Sequence, residues 1–484
     1  MSFSNSYLSL GNVFYQTIRP EPVRDPKLFL WNNGLAEELG LPDKLDLSED
    51  NRAQLFAGNN LLPGLESIAL AYAGHQFGNF VPQLGDGRAH LLGETRDRLG
   101  ELRDIQLKGS GQTSFSRSGD GRCALGPAIR EFVMSEAMYA LGVPSSRSLA
   151  VVTTGEVVFR ETSQPGAVVT RVASSHLRVG SFEYFAVREN HEAMRTLADY
   201  AIGRHYPEIE SNDPERFLLL LEKVIQRQIE LVTEWLRVGF IHGVMNTDNT
   251  TISGETIDFG PCAMMGIYHP ETVFSSIDRQ GRYAYGNQPI IAQWNMARFA
   301  ETLLPLIDSD QQRAIDAASS LIADFSGQFK QSYLQMMANK LGLSESSPQN
   351  DELILDLLSR MEQQQLDYTI TFERLNHSLS SKSIELTVAE ELGDWYLKWR
   401  QRLEILPDTT TDIQERMSQA NPLVIPRNHH MEKVIRTCIE SGEANAAEEF
   451  IEVLSSPYTK TDKTWLFQDA PEDADEGYQT FCGT

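Results

Sequence analysis

The chain has 484 residues, 41% hydrophobic and 23% charged, a globular composition that excludes a fibrous repeat and wholesale disorder. With 42 Lys and Arg against 67 Asp and Glu, the formal charge is −25, and such a surface repels nucleic acid and anionic membranes. Cys123, Cys262, Cys438 and Cys482 are too few for a disulfide framework and show no zinc-site spacing. No apolar run reaches the roughly 20 residues that span a bilayer, and no targeting pattern opens the chain, so the expected compartment is cytoplasmic.

Residues 1–84 are expected to form an N-terminal extension of short helices and loops, punctuated by Pro20, Pro22, Pro26 and Pro42. From 85 to 185 the texture changes to short strands: His90–Glu94, Leu102–Lys108, Ser148–Thr153, Glu156–Glu161 and Ala167–Val172. Thr154-Gly155 reads as a hairpin turn between two of them. One helix interrupts the set, with Pro127 in its first turn and Gly142 and Pro144 at its end. Residues 186–300 read as helical, including a long apolar helix over Pro214–Val238. Residues 301–484 form a helical C-terminal region, with helices near 310–341, 350–375 and 388–405 and an acidic tail expected to be mobile. The predicted class is α+β: a small sheet-rich lobe, a larger helical lobe, and a site between them.

Residues 85–185 hold eleven arginines and one lysine against eleven acids, an island of balanced charge in an acidic chain. An anionic ligand is best accommodated there. Lys108 is the only lysine between Lys44 and Lys223, and a predicted strand delivers it to the glycine-rich loop Gly109-Ser110-Gly111. Gly85-Asp86-Gly87-Arg88 and Gly119-Asp120-Gly121-Arg122 are two further glycine turns, each followed by an arginine, suited to close backbone approach by a phosphate. On the following helix, Glu131 or Glu136 could pair with Lys108. The helical wheel favours Glu136, which lies nearer the apolar face of Ile129, Phe132, Val133 and Ala137.

The most specific constellation is His242-Gly243-Val244-Met245-Asn246-Thr247-Asp248-Asn249, followed by Asp258-Phe259-Gly260. Protein kinases carry H-R-D-x-x-x-x-N and then D-F-G. Aligned on His242, the metal-binding Asn falls on Asn249 and the second metal ligand on Asp258. The kinase catalytic Asp falls on Val244, which cannot accept a proton.

The blocks 71–94, 108–132, 242–261 and 421–430 together resemble the selenoprotein O family over nearly the whole chain. The resemblance implies a kinase-like two-lobed fold that binds ATP inverted, with the γ-phosphate buried and the α-phosphate facing the acceptor. It implies transfer of AMP to Ser, Thr or Tyr hydroxyls of proteins, with UTP as a donor in some members; the chain's own hydroxyls are a further candidate acceptor. It places Gly85, Gly87, Arg88, Lys108, Asp120, Gly121, Arg171, Arg178 and Asp258 on the nucleotide. It places Asn249 and Asp258 on Mg²⁺ or Mn²⁺, Asp248 as proton acceptor, and Glu131 rather than Glu136 beside Lys108. Cys482 resembles the cysteine counterpart of the family's C-terminal selenocysteine, without an assured disulfide partner. The competing reading of the degraded H-R-D motif is a nucleotide-binding pseudokinase acting as a redox-responsive regulator or scaffold.

Overall fold

The structure is a computed structural model that describes residues 4–42, 48–160, 162–471 and 475–481; Cys482 lies outside the described residues. Its N-terminal part is built on one antiparallel sheet. The strand order is Tyr15–Thr17, Ile68–Leu70, Ala89–Arg96, Leu102–Lys108, Ser163–Ala173, Arg147–Phe159, Lys27–Trp31, and Cys123–Ala124 also pairs with Ser163–Ala173. Three of these strands come from residues 1–84, the stretch expected to hold only short helices and loops. They are three to five residues long, too short for an alternating pattern to stand out.

Thr154-Gly155 is not a hairpin turn. Arg147–Phe159 runs on as one strand, and its pairing with Ser163–Ala173 shifts register between Pro165 and Ala167, opposite Val157 and Thr153. The extra residues 154–156 form a bulge, so the chain reverses after Phe159 instead.

Alternation along the sheet separates two environments. Ile105 and Leu107 point into a core with Leu92, Leu149, Val152, Val168 and Val172, covered by the helices Asn33–Glu38 and Glu49–Phe56. Gln106 and Lys108 point to the opposite face, where Arg171 is the cross-strand neighbour of Gln106. The helix Leu125–Ala140 packs on that face, against the strands Arg147–Phe159 and Ser163–Ala173.

From Val179 onward the regular elements are helices apart from the two-residue strands Phe240–Ile241 and Ala263–Met264, and the stretch between Val238 and Gln288 is largely loop. The helix Arg216–Val238 buries Leu220, Leu221, Val224, Ile225, Leu231, Val232 and Trp235 and packs against Gln288–Ile307 and Gln311–Lys340. The expected 350–375 and 388–405 helices are each divided, giving Pro348–Gln363 with Tyr368–Ser378 and Lys382–Leu392 with Asp394–Ile405. Among the described residues no helix is long and apolar enough to cross a membrane. The helices Asn428–Ser441 and Asn445–Leu454 pack back on Leu125–Ala140, so the C-terminal region helps fix the helix that carries Glu131.

The tail is anchored over its described part. The Tyr478 hydroxyl lies 3.0 Å from an Arg130 guanidinium nitrogen and 2.9 Å from Glu432. The Thr480 hydroxyl donates to the Pro261 carbonyl at 2.7 Å, and its N–H donates to the Phe274 carbonyl at 2.8 Å. These bonds hold a segment expected to be mobile against the loop that follows Asp258-Phe259-Gly260.

Candidate active site

Four charged side chains meet where the sheet, the Leu125–Ala140 helix and the Asp258 loop converge. Lys108 Nζ lies 2.7 Å from Glu131 Oε2 and 2.7 Å from Asp258 Oδ1. Arg171 pairs with the same two carboxylates, through its Nε to Glu131 and a terminal nitrogen to Asp258. Burial alone would raise the pKa of both acids, but Arg171 and Lys108 hold Glu131 below the ordinary carboxylate range and Asp258 well below it. Two cations and two anions in one buried cluster leave no net charge, which makes the burial tolerable.

Glu136, the residue that the helical wheel favours, is instead held by Arg147 at 2.7–3.0 Å and by the Ser148 N–H at 3.0 Å. The helix is covered by the sheet on one side and by C-terminal helices on the other. Both glutamates are therefore enclosed, and apolar periodicity does not distinguish them.

Asp258 has a left-handed backbone (φ +65°), uncommon for a residue other than glycine. Both cationic contacts to its side chain fall on Oδ1. Asn249 donates from Nδ2 to the Val244 carbonyl at 3.0 Å, which commits its amide nitrogen and leaves the oxygen available to a cation. The donors on offer are thus a carboxylate oxygen and an amide oxygen. That hard set fits Mg²⁺ or Mn²⁺ and does not fit zinc.

Arg178 joins this cluster to Asp248. It donates to the Asp248 backbone carbonyl at 2.9 Å, lies 3.6 Å from Asp86, and stacks over the Tyr72 ring at 4.5 Å. Its placement follows from local backbone bonds: Val179 N–H donates to Thr250 O and Ile252 N–H to Leu177 O, which strap residues 177–179 onto the 246–252 loop. Asp248 itself is buried, its Oδ2 accepts from Gln76 Nε2 at 3.3 Å, and its Oδ1 has no hydrogen-bond partner among the described residues. Burial pushes its pKa up to about 6, against the lowering effects of Arg178 and the Gln76 bond.

Gly85 and Gly87 pack against Phe115 of the 109–122 loop. A Cβ on Gly85 would fall 2.3 Å from the Phe115 ring, and one on Gly87 would fall 2.8 Å from the Phe115 carbonyl. Both glycines therefore allow the 109–122 loop to fold onto the strand entry, and the Arg88 carbonyl accepts from Gly109 N–H at 2.7 Å. Asp120 is half-exposed, paired with Arg160 at 2.8 Å and capping the Arg122 N–H at 2.9 Å; Gly121 beside it closes on the Gly111 backbone. The polar contacts of the Asp120 carboxylate are thus with loop partners and not with the Lys108 cluster.

Several residues bearing on Asp248 have no local signal in the sequence. The hairpin Gly74–Gln76/Asn79–Val81 lies directly on it, and a Cβ on Gly74 would fall 2.7 Å from Asp248 Oδ1. That hairpin is pinned by a buried network. His75 N–H donates to the Thr247 hydroxyl at 2.6 Å, the Thr247 hydroxyl donates to Glu183 at 2.6 Å, and the other Glu183 oxygen lies 2.6 Å from His75 Nδ1. Asn246 Oδ1 accepts from Phe77 N–H and the Tyr283 hydroxyl. Asp86, buried behind Arg178, accepts from Leu70 N–H and Gln106 Nε2. These partners are up to 206 residues apart in sequence. Those that lie in the 71–94 block are marked there only by its density of Gly, His, Gln and Asn.

A family model described as "Protein adenylyltransferase SelO" matches residues 1–455. Similar proteins include "Protein nucleotidyltransferase YdiU" of Teredinibacter turnerae, 54% identical over the full length of both chains. Those of Anoxybacillus flavithermus and Pseudoalteromonas translucida are 52% and 50% identical, each over all of this chain and 99% and 100% of its own length. With the family match extending from the first residue through the Asp248–Asp258 site and onto the helices behind Glu131, the chain belongs to the protein adenylyltransferase SelO family.

Proposed function

We propose that this protein transfers AMP from ATP to hydroxyl side chains of proteins, releasing pyrophosphate, on a two-lobed kinase-like scaffold. The observation that carries the reading is a division of labour. Three buried cations (Lys108, Arg171, Arg178), each held by carboxylates, offer a polyphosphate charge-assisted donors, and beside them stands Asp248, a buried carboxylate with an oxygen that has no partner among the described residues. Family membership supplies the nucleotide donor and the protein acceptor.

On this reading the triphosphate enters tail first. Arg171 and Arg178 make charge-assisted bonds to its buried end, and Lys108, oriented by Glu131, reaches the same phosphates. A divalent cation on Asn249 and Asp258 would neutralise charge on the leaving pyrophosphate. The acceptor oxygen attacks the α-phosphorus, the bond from that phosphorus to the bridging oxygen of pyrophosphate breaks, and Asp248 Oδ1 takes the hydroxyl proton. A carboxyl of pKa about 6 is mostly ionised at neutral pH, yet basic enough to accept a proton as the new bond forms. Val244 at the kinase-base position cannot do this for γ-phosphoryl transfer. UTP is a second donor to be tested beside ATP, and the chain's own hydroxyls are candidate acceptors.

ATP labelled at the α or the γ position, supplied with Mg²⁺ or Mn²⁺ and a protein acceptor, tests the proposal. Protein-bound label from the α position alone is expected. Label from the γ position alone would make the protein a kinase, and none from either would leave a nucleotide-binding regulator.

A further inference from the structure

The helix Asn428–Ser441 carries two histidines in its first turn, and neither has a part in the nucleotide site. Adjacent residues on a helix do not normally face one another. Here His429 and His430 nonetheless converge, with ring centroids 3.9 Å apart, on a single carboxylate supplied 39 residues later. Asp469 Oδ1 lies 2.9 Å from His430 Nε2, and Asp469 Oδ2 lies 3.7 Å from His429 Nε2. One ligand atom from each of the three residues falls within 4.8 Å of the other two. Among the described residues this is the only group of three His, Cys, Asp or Glu side chains so arranged.

We propose that His429, His430 and Asp469 form a binding site for a zinc-type divalent cation, separate from the hard-oxygen site at Asn249 and Asp258. Two imidazole nitrogens and one carboxylate oxygen are a donor set that Zn²⁺ prefers, with a fourth position left for water. The surroundings suit it. His430 is buried with its ring against Phe467 (5.2 Å) and Phe450 (6.3 Å), giving the site one apolar wall, while Asp469 is exposed and leaves an entry path. The nearest arginine in sequence, Arg427, is committed elsewhere, bonded to Asp367 at 2.8 and 3.1 Å.

Such an ion ties the 464–471 segment to the helix that also carries Glu432, an anchor of Tyr478. It therefore adds an attachment of the C-terminal tail ahead of those made by Tyr478 and Thr480.

The test uses the full chain, stripped by chelator and kept in excess Mg²⁺ to occupy the hard-oxygen site. Zn²⁺ is titrated while calorimetry and the thermal midpoint are followed, and Co²⁺ absorption reports coordination geometry. One equivalent of Zn²⁺ is expected to bind and raise the midpoint, and Co²⁺ to give the strong visible bands of a four-coordinate site. His429→Gln and Asp469→Asn should each weaken uptake at least about tenfold, and Asp258→Asn should leave it intact. Uptake unchanged in both His429→Gln and Asp469→Asn, uptake lost in Asp258→Asn, or no uptake by the wild-type chain would each overturn the proposal. Asp469→Asn, at an exposed position, keeps the test decisive should His429→Gln fail to fold.

Discussion

At the level of single residues the proposed transfer turns on Asp248. Its folded pKa, about 6, lies above that of an unfolded Asp, so the native state binds the extra proton between about pH 4 and pH 6. Burying the ionised form therefore costs stability above pH 6, and that cost fades as pH falls toward 4. Asp248→Asn should abolish most transfer, yet raise the unfolding free energy at pH 8 by about 1–3 kcal/mol. The gain should shrink towards zero near pH 4; wild-type turnover in this variant would remove Asp248 as the base. Arg171 has the opposite character. Glu131 and Asp258 both depend on it, and their depressed pKa values mean that its contribution is present above about pH 4 and lost as pH falls further. Arg171→Leu leaves two buried carboxylates with one lysine between them and should cost about 3–5 kcal/mol at pH 7. Denaturant unfolding would measure it.

Among the elements, the hairpin Gly74–Gln76/Asn79–Val81 shapes the surroundings of Asp248. The Gln76 amide bond favours the ionised carboxylate, so it lowers a pKa that burial raises. Gln76→Ala should therefore move the acidic limb of the kcat/KM profile to higher pH, with the loss of rate greatest between pH 6 and 7. An unmoved limb would mean that the titrating group is not Asp248. Elements with a strong local pattern are legible in the amino-acid sequence by itself. The strand Leu102–Lys108 keeps in the fold the bounds that its residues predict, and Gly239 ends the long helix at Val238 as a left-handed cap should. The three short strands of residues 15–70 are not legible there, because pairing between residues far apart in sequence defines them; the Gly74 hairpin pairs locally, but its two strands of three residues each are too short for an alternating pattern to stand out.

For the molecule as a whole, the order strand-Lys, helix-Glu, Asp-Asn, Asp-Phe-Gly is readable along the chain, but what holds it together is not. Glu131 faces Lys108, while Glu136 is taken by Arg147 and the Ser148 N–H of a strand that follows in sequence. Arg178 reaches Asp248 because a strap of backbone bonds joins segments about 70 residues apart. AMP transfer, as opposed to phosphate transfer, depends on which way round a nucleotide lies in this assembly. A crystal structure with a non-hydrolysable ATP analogue and Mg²⁺ decides that orientation. The terminal phosphate is expected beside Lys108, Arg171 and Arg178, with the α-phosphorus within reach of Asp248 and open to an acceptor. A terminal phosphate at Asp248, with the adenosine end leading away from it, would refute the proposed transfer.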